Sequence, residues 1–283
     1  MEIYLSTGGY KNLTTGEVVK EFIFNGIKSI ELSGTKYSPN NIANLSRLKK
    51  KVKFQIHNYF PPPKRPFVLN LASMNDEIYR KSLRHIFKAL ESCAKLNSNY
   101  YSFHSGFLCD IKISELGKKV KKKKLQNRED SLYIFIERVS KISEKAKKYG
   151  INLMIENNVL SKNNLLEFKE NPLLMCEAGE CIKVIKNLPD NVKLLVDVAH
   201  LKVSSNSLKF NPSNFFLKCK DIIGGYHLSD NNGLSDTNEK FDEHSWFWKY
   251  LNKKVKYCSI EVYNLKVEEY INLLKIAKKK LSC

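Results

Sequence analysis

The sequence predicts an α/β protein of the (β/α)8 TIM barrel type, a single domain over residues 1–283, on two observations. Short apolar, β-branched runs alternate with amphipathic helical stretches along the whole chain, the pattern of a parallel sheet covered by helices. Eight such units begin near residues 2, 29, 52, 100, 151, 193, 222 and 257, the count and length of a closed eightfold barrel. A doubly wound open sheet is the alternative, but no glycine-rich phosphate turn follows the first strand to support it.

Glu2–Ser6 reads as the first strand, and Thr15–Asn25 as a helix with Val18, Val19, Phe22 and Ile23 on one face and Gly26 at its C-cap. Ser29–Leu32 is a second strand, and Ser38-Pro39 opens a helix reaching about Lys51. Val52–Tyr59 is the third strand. The proline-rich stretch Phe60–Ser73 that follows is too long for a simple connection and reads as a functional loop. Asn75–Leu96 is a helix, Tyr100–Ser105 a strand, and Lys118–Lys124 a basic run expected to be a solvated, mobile face. Glu129–Tyr149, stopped by Gly150, is an amphipathic helix, and Ile151–Asn157 the fifth strand. Helix Glu177–Asn187 precedes the sixth strand in Lys193–Leu201, where His200 is expected in a loop. Helix Pro212–Lys220, strand Ile222–Ser229, an aromatic helix Trp246–Leu251, strand Tyr257–Tyr263 and helix Lys266–Lys280 complete the chain.

Composition narrows the function. Hydrophobic content of 42% supports a sizeable core, and no run approaches a membrane span. The opening MEIYLSTGG reads as a strand rather than a secretory leader, so a cytoplasmic location is expected. Seven cysteines without a CxxC pair argue for reduced thiols rather than a disulfide framework or thiolate zinc site. The net charge of +19 invites a polyanionic partner, yet only six of the 48 cations are arginine, the favoured bidentate reader of phosphate. An anionic small molecule fits the charge equally well.

In a barrel of this class the chemistry sits at the C-terminal ends of the strands. Those ends carry His57, His104, Glu156, Asp197, His227 and Glu261, on six successive strands, with His200 just beyond one of them. Any one of these residues is equally well read as a hydrogen-bonded polar group at a strand end. Together they bring imidazoles and three carboxylates to one mouth, where the carboxylates would repel one another in a low dielectric. One divalent cation resolves that conflict, with a second possible, and mixed His/Asp/Glu ligation suits Mn, Co, Zn, Mg or Fe.

These stretches resemble the xylose isomerase-like TIM barrels, a superfamily of sugar isomerases and epimerases, inosose dehydratases and endonuclease IV. The resemblance is carried by Ile56–Ser73 (IHNYF…NLAS), Phe103–Gly106 (FHSG), Met154–Asn157 (MIEN), Val196–His200 (VDVAH), Tyr226–Asn231 (YHLSDN) and Ile260–Tyr263 (IEVY). In the isomerase and epimerase branch it implies that Glu156, Asp197, His227 and Glu261 hold one metal. Glu156 and Glu261 would then exchange a proton α to a carbonyl through an enediolate, while His200 steadies a substrate oxygen. Asn58, Asn157, Asp230 and Asp236 are the expected substrate contacts. The expected partner is a sugar or sugar phosphate, with a homo-oligomer possible and nucleic acid not expected.

The endonuclease IV branch is the alternative, a metal-dependent phosphodiesterase acting on abasic DNA. There the equivalents of His57 and His104 bind a further zinc bridged by Glu156; in the present chain they serve either a second metal or the substrate. The third zinc of that branch takes a D-x-H pair, which reads Asp236-Thr237-Asn238 here, and its Gly-Glu-Gly is replaced by Asp242-Glu243-His244. The second unit also lacks that branch's arginine-bearing DNA loop. Several epimerases grip substrate with an arginine a few residues after the histidine matching His227, and Leu228–Thr237 contains none.

Overall fold

Eight parallel strands pair in strict sequence order, and the first closes on the last, in a computed structural model that describes residues 1–282. They are β1 (Glu2–Ser6), β2 (Ser29–Leu32), β3 (Lys53–His57), β4 (Tyr100–His104), β5 (Asn152–Glu156), β6 (Val192–Asp197), β7 (Ile223–Leu228) and β8 (Tyr257–Ile260). The helices are α1 (Thr15–Phe24), α2 (Asn41–Ser46), α3 (Asp76–Leu96), α4 (Arg128–Lys148), α5 (Lys162–Phe168), α6 (Ala178–Lys186), α7 (Val198–Leu208), α8 (Pro212–Cys219) and α9 (Val267–Leu281).

Local chemistry fixes the long helices. Thr14 and Glu17 form a reciprocal capping box on α1. Asn75 accepts from two backbone N–H groups at the start of α3, and Asn97 closes it at φ 56°. Three lysines in the last turn of α4 face the negative end of its dipole. Apolar faces of these helices pack on the outer face of the barrel in one continuous core. Within the barrel a separate layer of Tyr4, Met154, Leu195 and Tyr257 fills the lower lumen, with Tyr100 packed against it. Tyr100 on β4 and Tyr257 on β8 meet across the lumen at 5.4 Å between ring centroids.

Several expectations change. The helix expected to reach Lys51 is only Asn41–Ser46; beyond it the chain winds on in turns, with Leu48 N–H bonding Leu45 O and Lys51 N–H bonding Leu48 O. The aromatic helix is one 3-10 turn, Trp248–Tyr250. Two helices escaped the sequence reading, α5 and α7. The second matters most: His200 lies in the first turn of α7 rather than in a loop, because Asp197 Oδ1 accepts the His200 backbone N–H at 2.8 Å and caps the helix. The six described cysteines are free and buried, and Cys283 lies outside the described residues. No helix among the described residues is long and apolar enough to cross a membrane.

Candidate metal centre at the mouth of the barrel

Strand register assembles the site. Asp197 pairs with His227 across β6 and β7, and His104 with Glu156 across β4 and β5, so neighbouring strands present their end residues side by side. Glu261 follows β8 by one residue and continues the ladder through its N–H to Leu228 O. One ligand atom from each of Glu156, Asp197, His227 and Glu261 lies within 4.8 Å of the others. This is the set expected from sequence. His57, His104 and Glu156 form a second such group.

The donor atoms converge without satisfying one another. His227 Nδ1 is 2.9 Å from Glu261 Oε2 and 3.4 Å from Glu156 Oε1. Glu156 Oε2 is 3.3 Å from His104 Nδ1 and 3.7 Å from His57 Nε2. Yet both Glu156 oxygens, Asp197 Oδ2 and His227 Nδ1 are buried without a hydrogen-bond partner. Orphaned buried carboxylates are costly, and native structures keep few polar atoms in that state. A divalent cation is the group these atoms fit.

The electrostatics agree. Burial pushes the Asp197 carboxyl up to about 7, Glu156 and Asp236 adding to the rise while His200 opposes it. Burial also acts to raise Glu156, but His104, His227 and His57 together hold it well below the carboxylate range. Burial would depress His200 and His227, yet the facing carboxylates lift both well above ordinary imidazole: Asp197 and Asp236 for the first, Glu31, Glu156 and Glu261 for the second. His104 is carried down to about 4 by burial, with Glu156 opposing. The cluster thus holds its negative charge only by recruiting protons, which a cation would replace.

The expected substrate contacts divide. Asp236 reaches His200 Nε2 at 3.2 Å and lines the cavity above the cluster. Asn157 is fully buried and binds the backbone of Asp197 through both amide atoms, while its carbonyl meets His200 Nδ1 at 3.0 Å. Its side chain is thus engaged with the Asp197 backbone and its backbone carbonyl with His200. The Asn58 backbone carbonyl accepts from Tyr101 and bonds His85 while its side-chain Oδ1 is buried without a partner, and Asp230 pairs with Lys202 at 2.6 Å. The sequence reading missed Glu31 on β2, whose Oε2 lies 3.0 Å from His227 Nε2 and accepts from the Tyr257 hydroxyl. Its signal was a lone carboxylate inside Ser29–Leu32, SIEL.

A cavity of about 510 Å³ opens above the cluster, lined by His104, His200, Asp236 and Glu261 and, farther out, by Lys11 and Lys118. The basic run is thus not a free arm. Val120 is buried, its N–H bonds Asn164 Oδ1 at 2.9 Å, and Glu115 caps the Lys112 and Lys121 N–H groups while pairing with Lys123. Lys119 pairs with Glu167, whereas among the described residues no carboxylate lies within ion-pair distance of Lys11 or Lys118.

A family model describing the xylose isomerase-like TIM barrel matches residues 21–266, and the chain belongs to that family. It is 27% identical over 219 residues to an uncharacterised protein of Methanocaldococcus jannaschii, covering 76% of this chain and 64% of that one. Over 97 residues it is 29% identical to a probable endonuclease 4 of a Sulfurihydrogenibium species, covering 30% and 34%. The chain thus spans just under two thirds of the first relative's length and about a third of the second's. Among solved structures, a D-tagatose 3-epimerase-like protein superposes with a TM-score of 0.74 at 23% identity, covering 99% of this chain and 97% of the other. A D-psicose 3-epimerase solved with D-fructose gives 0.70 at 15% over both full chains. The IolI protein with a bound zinc atom gives 0.70 at 13%, covering 100% and 98%.

Proposed function

We propose that the protein is a divalent-metal-dependent isomerase or epimerase of a sugar or sugar phosphate. The observation that carries this reading is the convergence of Glu156, Asp197, His227 and Glu261, with orphaned donor atoms, beneath an open cavity. A cation held by these four residues would supply Lewis acidity toward a carbonyl oxygen. Glu156 and Glu261 are the acid–base pair, one removing the proton α to that carbonyl and the other returning it through an enediolate of the substrate. Tyr263 donates to Glu261 Oε1 at 3.1 Å, which holds that carboxylate in one orientation. His200 is shared between the Asn157 carbonyl and Asp236, so it reaches a substrate oxygen by exchanging Asp236 for it. Lys11 and Lys118 at the outer wall suit an anionic group, and we favour a phosphorylated sugar for that reason. The epimerases among the structural neighbours and the neighbour with bound zinc support the same reading.

An endonuclease IV-like phosphodiesterase is the second reading, favoured by the His57–His104–Glu156 group and the partial match to a probable endonuclease 4. Against it, Asn238 stands at the expected zinc-binding histidine and spends its amide on the Glu261 carbonyl at 3.1 Å.

Metal analysis of protein purified without chelator tests both, together with proton NMR in deuterated water over a panel of ketoses and their phosphates. One ion per chain, with deuterium entering α to the carbonyl, is expected. Failure to bind any divalent ion, or three zincs with cleavage of abasic DNA, overturns the proposal.

A further inference from the structure

Glu31 lies beside the candidate ligands without being one of them. It stands on β2 between Ile30 and Leu32, wholly buried, in a strand otherwise committed to the core. Its Oε2 accepts the Tyr257 hydroxyl and lies 3.0 Å from His227 Nε2, while Oε1 has no partner. The other ring nitrogen of His227 faces Glu156 and Glu261. One imidazole thus bridges a carboxylate on β2 and the cluster above.

We propose that Glu31 is a positioning residue, which accepts the Nε2–H of His227 and so turns the Nδ1 lone pair toward a divalent cation shared with Glu156, Asp197 and Glu261. This rests on the reading of that cluster as a cation site. A histidine that ligates through one nitrogen needs the other anchored, and carboxylates are the usual anchors. Glu31, His57 and His227 also fall within ligand distance of one another. Even so, an Nε2 that donates to Glu31 has no lone pair for a metal, so the geometry selects an anchor over a further binding site.

The anchor is itself braced. Tyr257 belongs to the lower lumen layer, and its ring fits because residue 225 on β7 has no side chain: a Cβ there would lie 2.5 Å from Tyr257 Cδ1. Gly225, Tyr257, Glu31 and His227 form one line of support from the apolar lumen to the candidate centre.

The test compares full-length wild type with Glu31→Leu, which removes the acceptor, and Glu31→Gln, which keeps an acceptor and removes the charge. Mn²⁺ affinity is measured by titration calorimetry, and the ring ¹⁵N shifts of His227 are read in the Zn²⁺-loaded proteins. In the wild type, protonation of His227 on Nε2 is expected. Affinity should fall at least tenfold in Glu31→Leu, and less in Glu31→Gln. A part confined to folding would lower the melting temperature of Glu31→Leu and leave both readouts unchanged, and that result overturns the proposal. If Glu31→Leu does not fold, Glu31→Gln decides: a fall in affinity supports the proposal, and unchanged affinity overturns it. A wild type that binds neither Mn²⁺ nor Zn²⁺ defeats the cation site and the proposal with it. One that binds while the variants bind equally defeats the proposal alone.

Discussion

The lower and upper halves of the barrel lumen are built from similar strands and treat buried polarity in opposite ways. In the lower half, Gln55 is buried with its amide donating to Tyr4 at 3.1 Å and its carbonyl accepting from Ser98 and the Tyr100 N–H. Around it Met154, Leu195 and Tyr257 pack without charge. In the upper half Glu156 is equally buried, yet neither of its oxygens has a hydrogen bond. A satisfied amide in an apolar layer contributes to the fold, whereas a ring of unsatisfied donors lowers stability until something binds it. Barrels of this class place ligand chemistry at the C-terminal ends of their strands, and at that end of this chain both Glu156 oxygens, Asp197 Oδ2 and His227 Nδ1 are left unsatisfied.

Substitutions at the two ends should therefore fail differently. Glu261→Gln should lower turnover about 10³-fold or more, with circular dichroism and melting temperature unchanged or slightly raised; near-normal rates would refute the proton-transfer scheme. Leu195→Ala, one layer down, should cost about 2–5 kcal/mol of stability by denaturant titration and leave metal stoichiometry intact. Loss of metal with little loss of stability would erase the contrast.

Acidity sharpens the comparison further. Asp197, lifted to about 7, and the raised His200 and His227 hold more protons folded than unfolded, so each weakens the metal-free protein as pH rises. For Asp197 the loss runs from about 4 to 7, and for the two histidines from about 6.5 upward. His104, depressed to about 4, acts in the opposite sense between about 4 and 6.5, while Glu31 and Glu156, both held low, remove stability below about 4.5. The melting temperature of the metal-free protein should thus be level from about pH 5 to 6.5 and fall above that. With Mn²⁺ bound the fall should flatten, and identical curves with and without the ion would count against a cation site. The smallest effect belongs to the rim: Lys118→Ala should weaken phosphorylated sugars about three- to tenfold by calorimetry and leave their unphosphorylated forms unchanged.

Much of this was legible because strand ends in a barrel are marked by a charged residue closing an apolar run. Val196-Asp197 and Ile155-Glu156 announce both the strand and the residue it carries to the converging cluster. Glu31 was hidden by the same rule, since Leu32 closes its strand and the carboxylate sits one place earlier. The helix α7 was hidden by composition: its Ser and Asn residues favour loops, and its start depends on the Asp197 cap. The run Lys118–Lys124 looked like a solvated arm because its anchors, Glu115 and Asn164, lie outside the run, and the second is 44 positions from Val120. Pairings over such distances leave no local pattern.

Asp197 divides its two oxygens between separate tasks, with Oδ1 fixed on the His200 backbone and Oδ2 turned to the cluster. An asparagine there would keep the helix start, since its carbonyl serves equally well, while withdrawing the charge. On the proposed cation reading, one isosteric exchange therefore separates how this chain assembles from what it would capture, which makes residue 197 the natural handle for changing ion preference without rebuilding the scaffold.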